Sequence, residues 1–121
     1  MSSTTRIGMQ SIFLLLALSL VACETGPTMV RIHNISTHDY QELEVGLESY
    51  GTLGAGQTTE YRDFGTAYRY NYVRLLIDAQ EYIIQPIDYV GEVPLGEGDF
   101  TYEVDVLDLA TGSLSIEAVE D

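Results

Sequence analysis

Two imidazoles, one thiol and nine tyrosines carry most of the chemistry open to this chain of 121 residues. His33 and His38 are its only side chains with an ordinary pKa near neutrality, and they flank one short polar stretch. A hydrolytic triad needs a nucleophile, a base and an orienting group within hydrogen-bond reach. No Gly-x-Ser-x-Gly elbow is present, and two imidazoles without a second Cys or a fixed carboxylate make an incomplete transition-metal site. The residues therefore argue against an enzyme. Calcium is a secondary possibility, because it takes several carboxylate and carbonyl oxygens from flexible loops. Glu92, Glu97 and Asp99 form one such group and Asp105, Asp108 and Thr111 another, but neither has the spacing of an EF-hand. Solvated charge is the simpler reading of both. Tyr68, Tyr70 and Tyr72 sit at alternate positions, so a regular strand would align them on one face, where they could stack on a glycan or grip a protein. The same spacing also suits packing on a half-buried strand.

The elements that must position these groups read as strands. From Thr28 onward apolar residues recur with period two, and no window holds a capped 3.6-residue repeat. Met29 to Ile35 is expected as the first strand, with Val30 and Ile32 opposite Arg31 and His33. Tyr40 to Glu48 is expected as the second, with Leu43, Val45 and Leu47 on one face and Glu42, Glu44 and Glu48 on the other. Tyr50 to Gln57 reads as a Gly-rich loop, Thr58 to Phe64 as a third strand, Tyr68 to Ile77 as a fourth and Glu81 to Ile87 as a fifth. Pairing Ile77 with Tyr82, Leu75 with Ile84 and Val73 with Pro86 places Leu76, Ile83, Tyr72 and Ile87 together on the other face. Tyr68, Tyr70, Tyr72, Ile83 and Ile87 are then the candidate contact surface. Ile87 to Gly98 is the longest expected loop. The last two strands run from about Asp99 to Leu107 and from Ser113 to Val119, with Val106 opposite Leu114 and Gly112 suited to positive φ.

The segment before this domain carries a different signal. Met1 to Gln10 is a polar leader with Arg6 as its one charge, followed by the apolar run Ile12 to Leu20. That run is shorter than the roughly 20 residues a membrane-spanning helix needs, and it suits the hydrophobic segment of a secretory signal. Leu20-Val21-Ala22-Cys23 then resembles the lipobox of bacterial lipoproteins. The resemblance implies cleavage before Cys23, a diacylglyceryl thioether on its sulfur and acylation of the new amine. Residues 1–22 are then a signal peptide, 23–27 a lipidated cysteine with a short tether, and 28–121 one domain. Several acyl chains on one residue give a stable anchor, where one chain gives only reversible binding. In the same family Asp after the cysteine favours inner-membrane retention, so Glu24 points to the outer membrane. The cofactor expectation is this covalent lipid, with calcium as a further candidate.

Cleavage leaves Arg31, Arg62, Arg69 and Arg74 as the only basic residues besides the histidines, with no Lys, against all 19 acids, a formal charge of −15. Such a surface is repelled by nucleic acid and anionic headgroups. The absence of Lys beside so many carboxylates resembles proteins of halophilic organisms, whose repulsion salt screens. With no second Cys, no intramolecular disulfide is available. Seven short strands in about 100 residues suit an all-β, antiparallel β-sandwich of immunoglobulin-like or transthyretin-like type. Val30-Arg31-Ile32-His33-Asn34-Ile35-Ser36 and Leu53-Gly54-Ala55-Gly56-Gln57-Thr58 resemble an entering strand and a turn in Ig-like exported bacterial domains. Asn34-Ile35-Ser36 also matches a glycosylation sequon, which beside a bacterial lipobox reads as coincidence. The expectation is a lipid-anchored envelope protein with a binding or structural domain, its partner an envelope protein or glycan. A calcium-dependent or carbohydrate-binding module is the alternative.

Overall fold

The computed structural model describes residues 26–87 and 92–121; the lipobox and Cys23 lie outside them. Among the described residues eight strands form two four-stranded sheets, one more strand than the turn signals predict. They are β1 (Thr28–Asn34), β2 (Tyr40–Val45), β3 (Glu48–Leu53), β4 (Arg62–Asp63), β5 (Val73–Ile77), β6 (Gln80–Ile84), β7 (Gly98–Asp108) and β8 (Ser113–Glu120). One sheet has the order β4-β1-β7-β8 and the other β3-β2-β5-β6. Every pairing is antiparallel except that of β1 with β7, which run parallel from Thr28↔Gly98 to Asn34↔Val104.

One apolar core joins the two sheets. Val30, Ile32, Phe100, Tyr102 and Val104 come from the first; Leu43, Val45, Val73, Leu75 and Tyr82 from the second. Each fully buried side chain of this kind contributes about 1.5–3 kcal/mol relative to exposure. Tyr40 is wholly buried and its hydroxyl donates to the Val104 carbonyl at 2.9 Å, a polar strut from β2 to β7. Burial, against the lowering influence of Ser36, pushes its phenol up to about 12.

The alternation is followed strictly in β1; in β7 Phe100, Tyr102 and Val104 face the core as expected but Thr101 is buried too, and Val106 does pair with Leu114. It breaks in β2. Tyr40 and Leu43 are three residues apart yet both point inward, which needs an extra residue between them; Glu42 takes φ 48° and the ladder shifts there. Leu47 does not continue the inward row. Gly46 at φ 62° opens a two-residue turn with Leu47 at its tip, as a type II′ hairpin requires, and Tyr50 to Leu53 return as strand instead of loop. The β5–β6 hairpin keeps the expected faces but slides by two residues, pairing Leu75 with Tyr82 and Ile77 with Gln80. Asp78 and Ala79 both adopt positive φ, the signature of a type I′ turn built without glycine.

The expected strand over Thr58 to Phe64 is reduced to Arg62–Asp63 and a single bridge between His33 and Thr58. The cause is local: the Ile32 amide donates to the Thr59 hydroxyl at 2.9 Å, so a side chain takes a place in the ladder that a backbone carbonyl would hold.

Candidate contact surface at the two ends of the sandwich

The strands give the sandwich a near end, where β1 begins, and a far end, where it stops. Loops at the near end are tied to the opening of β1 and to each other. The Phe64 amide donates to the Thr28 carbonyl at 2.9 Å, the Thr28 hydroxyl to the Gly96 carbonyl at 2.6 Å, and the Leu95 amide to the carbonyl of buried Ala67 at 2.7 Å. The Gly46 amide donates to the Tyr72 carbonyl at 2.9 Å, which adds the β2–β3 turn to the same end.

Tyr68, Tyr70 and Tyr72 belong to this end and do not form a row on a strand. The strand expected to start at Tyr68 starts at Val73. Val73 pairs with Val45 on one side and Ile84 on the other, and both neighbours stop there: β2 turns away at Gly46, and β6 gives way to Gln85-Pro86. Residues before Val73 therefore have no ladder to join. The three tyrosines are half-buried in the loop, which the hydroxyl of fully buried Tyr102 anchors by donating to the Tyr68 carbonyl at 2.6 Å. Ile87, beyond β6, is also at this end, whereas Ile83 lies on the outer face of β6 opposite Arg74. The five residues thus occupy two surfaces, not one.

Charge dominates the sheet faces. On the second sheet Arg74 donates to Glu81 at 2.6 Å and lies 3.5 Å and 3.7 Å from Glu44 and Glu42. On the first, Arg31 donates to the Thr101 hydroxyl at 2.9 Å and lies 3.5 Å from the Asp121 carboxylate. Burial alone would raise the Asp121 pKa, but hydrogen bonds from Tyr61 and Thr101 and the charge of Arg31 outweigh it and hold the carboxyl below its usual value. His33 shares this face in register with Glu103, itself opposite Glu117. Along the side where β3 meets β4, Arg62 bonds Glu48, Glu60 and the Ser49 carbonyl while lying 4.1 Å over the Tyr50 ring. Burial pushes the Tyr50 phenol up to about 12, with Arg62 pulling the other way, and among the described residues its buried hydroxyl meets no partner.

The far end is organised by a residue whose role went unread in the sequence. Asn34 is wholly buried, and its amide donates to the carbonyls of His38 at 2.7 Å and Leu53 at 3.0 Å. Its oxygen accepts from the Ser36 amide at 2.9 Å and hydroxyl at 2.7 Å. This joins β1 to β3 across the sandwich and shapes the turn carrying His38, and the same amide is out of reach of any glycosylating enzyme. The signal was present in the alternation, since Asn34 follows Val30 and Ile32 in the inward phase. A buried polar side chain there must find partners.

The acidic groups weighed for calcium do not converge: among the described residues no three His, Cys, Asp or Glu side chains are placed to hold a metal ion. Asp105 accepts from the Val106 amide and Asp108 from the Ala110 amide, so these carboxylates shape the β7–β8 hairpin. An opening of about 550 Å³ lies at the near end between the loop of Val93 to Leu95 and β8, lined by Arg69 together with Glu117 and Glu120. No known protein family, curated protein or solved structure matches the chain.

Proposed function

We propose that the chain is a bacterial envelope lipoprotein, anchored through acylated Cys23 in the outer membrane, with a small acidic β-sandwich acting as a binding or structural domain. The observation that carries the reading is the Leu20-Val21-Ala22-Cys23 motif closing a short apolar run and followed by only Glu24 to Pro27 before β1 opens at Thr28. So short a tether holds the domain at the membrane surface. Its sheets differ from those of a constant-type immunoglobulin domain, where the first strand pairs with the second and the seventh lies in the other sheet. Here β1 lies between β4 and β7. That order favours the transthyretin-like alternative. The contact surface is assigned to the near-end loops bearing Tyr68, Tyr70, Tyr72 and Ile87, because both sheet faces carry charged side chains, Arg31 with Asp121 on one and Arg74 with Glu42, Glu44 and Glu81 on the other.

Expression with labelled palmitate tests the reading. The natural chain is expected to take up label and fractionate with membranes, and Cys23→Ser to lose both while keeping its melting temperature. A Cys23→Ser variant that still fractionates with membranes overturns it.

A further inference from the structure

We propose that the near end of the sandwich docks directly on the lipid surface, with Leu47, Ile87 and Val93 entering the headgroup region as a second, non-covalent contact beside the anchor. The inference rests on the lipid-anchored reading above and adds an orientation to it. These three are the most exposed large apolar side chains among the described residues, at 101%, 92% and 73%. Each stands on a turn or loop at the end from which the chain runs back toward Cys23. Leu47 lines one hollow with Phe64 and Thr66, and Thr66 lines the next with Gly26, Thr28 and Pro94, beside Val93. The apolar tips and the start of the tether therefore share one end of the domain.

Reach decides which end can meet the bilayer. From Cys23 to Thr28 the chain spans at most about 18 Å when fully extended. The sandwich is longer than that, because the eleven residues of β7 extend for about 33 Å. The exposed far-end residues Leu107 and Leu109 cannot touch the bilayer, since inverting the domain would carry Thr28 beyond the tether's reach. Lying flat is opposed by the sheet faces, which would press Arg74 with Glu42, Glu44 and Glu81, or Glu103 with Glu117, onto the lipid. Docking on the near end exposes neither face to that penalty.

The chemistry of the end also selects the lipid. Asp63, Glu97, Glu117 and Glu120 line the hollows at this end against the single cation Arg69, so an anionic leaflet would repel it and an electroneutral, zwitterionic one would not. The half-buried Tyr68, Tyr70 and Tyr72 behind the tips suit this depth, since tyrosine rings concentrate at the membrane–water interface. The geometry is that of an interfacial contact reaching only the boundary of the acyl region.

The chain contains no tryptophan, which makes a single introduced indole a clean reporter. Full-length lipidated protein carrying Leu47→Trp, Ile87→Trp or Val93→Trp is reconstituted in phosphatidylcholine vesicles containing brominated lipid, with Leu107→Trp as the far-end control. Near-end reporters are expected to be quenched at least about twofold more than the control and to shift to the blue, and the difference is expected to shrink in phosphatidylglycerol vesicles. Three separate positions protect the result against one variant that fails to fold. Protein that sediments with the vesicles but shows equal quenching at both ends refutes docking and leaves the anchor standing. Stronger quenching at Leu107→Trp refutes the orientation. Protein that does not sediment refutes the anchor, and the docking falls with it.

Discussion

The two ends of the sandwich solve opposite problems with similar lengths of chain. At the far end, Asn34, Ser36 and Asp39 turn their polar groups inward or onto neighbouring backbone, so that the turns of residues 35–39 and 54–57 are fastened together. At the near end, apolar side chains are turned outward on Leu47, Ile87 and Val93, while backbone bonds and the hydroxyls of Thr28 and Tyr102 hold the loops from behind. A buried polar group with all its partners specifies one arrangement, and an exposed apolar tip specifies none. The far end therefore reads as the part that fixes the fold, and the near end as the part left over for contact.

Mutations break this comparison most sharply at Asn34. Asn34→Ala removes four hydrogen bonds and leaves the Leu53 carbonyl without the Asn34 amide and the His38 carbonyl with only the Ser36 hydroxyl, at an expected cost of about 3 kcal/mol in chemical denaturation. Leu47→Ser at the near end is expected to change stability by less than about 0.5 kcal/mol in the same measurement. Equal costs would erase the distinction.

Alkaline pH should produce the next largest effect. Tyr40 and Tyr50 both have phenols pushed up to about 12 in the folded protein against an ordinary value near 10. A raised folded-state pKa means stability that is complete below about pH 10 and lost as pH climbs toward 12. Melting temperature followed from pH 8 to 12 should be flat at first and then fall; a steady decline from pH 8 would point to other groups.

The smallest effect separates the two hydroxyls. Tyr40→Phe deletes a bond to the Val104 carbonyl and should cost about 1 kcal/mol, whereas Tyr50→Phe deletes a buried hydroxyl with no partner and should be neutral or slightly stabilising. Finding the larger loss at Tyr50 would show that its hydroxyl is bonded in solution.

What the sequence disclosed follows the distance over which each feature is decided. The β7–β8 register is legible because Val106 and Leu114 are joined by a short hairpin and both strands alternate cleanly. The turn at Gly46-Leu47 is hidden because Leu47 keeps the phase of Leu43 and Val45, so alternation reads straight through it. The pairing of β1 with β7 joins residues about 70 positions apart and leaves no local mark. The tyrosine row failed for a similar reason. Its spacing was compatible with a strand, but a strand also needs neighbours, and those are supplied or withheld by Val45 and Ile84.

The parallel pairing of β1 with β7 has a mechanical consequence. Because β1 lies inside its sheet, with β7 along one side and β4 and the Thr58–Thr59 segment along the other, a pull at Gly26 runs along the strand axis. The bonds of the β1–β7 ladder are then strained together in shear, not unzipped one after another. A domain pulled by its first strand would thus resist at the point where the load enters, and the strand that receives the tension would be among the last to tear free.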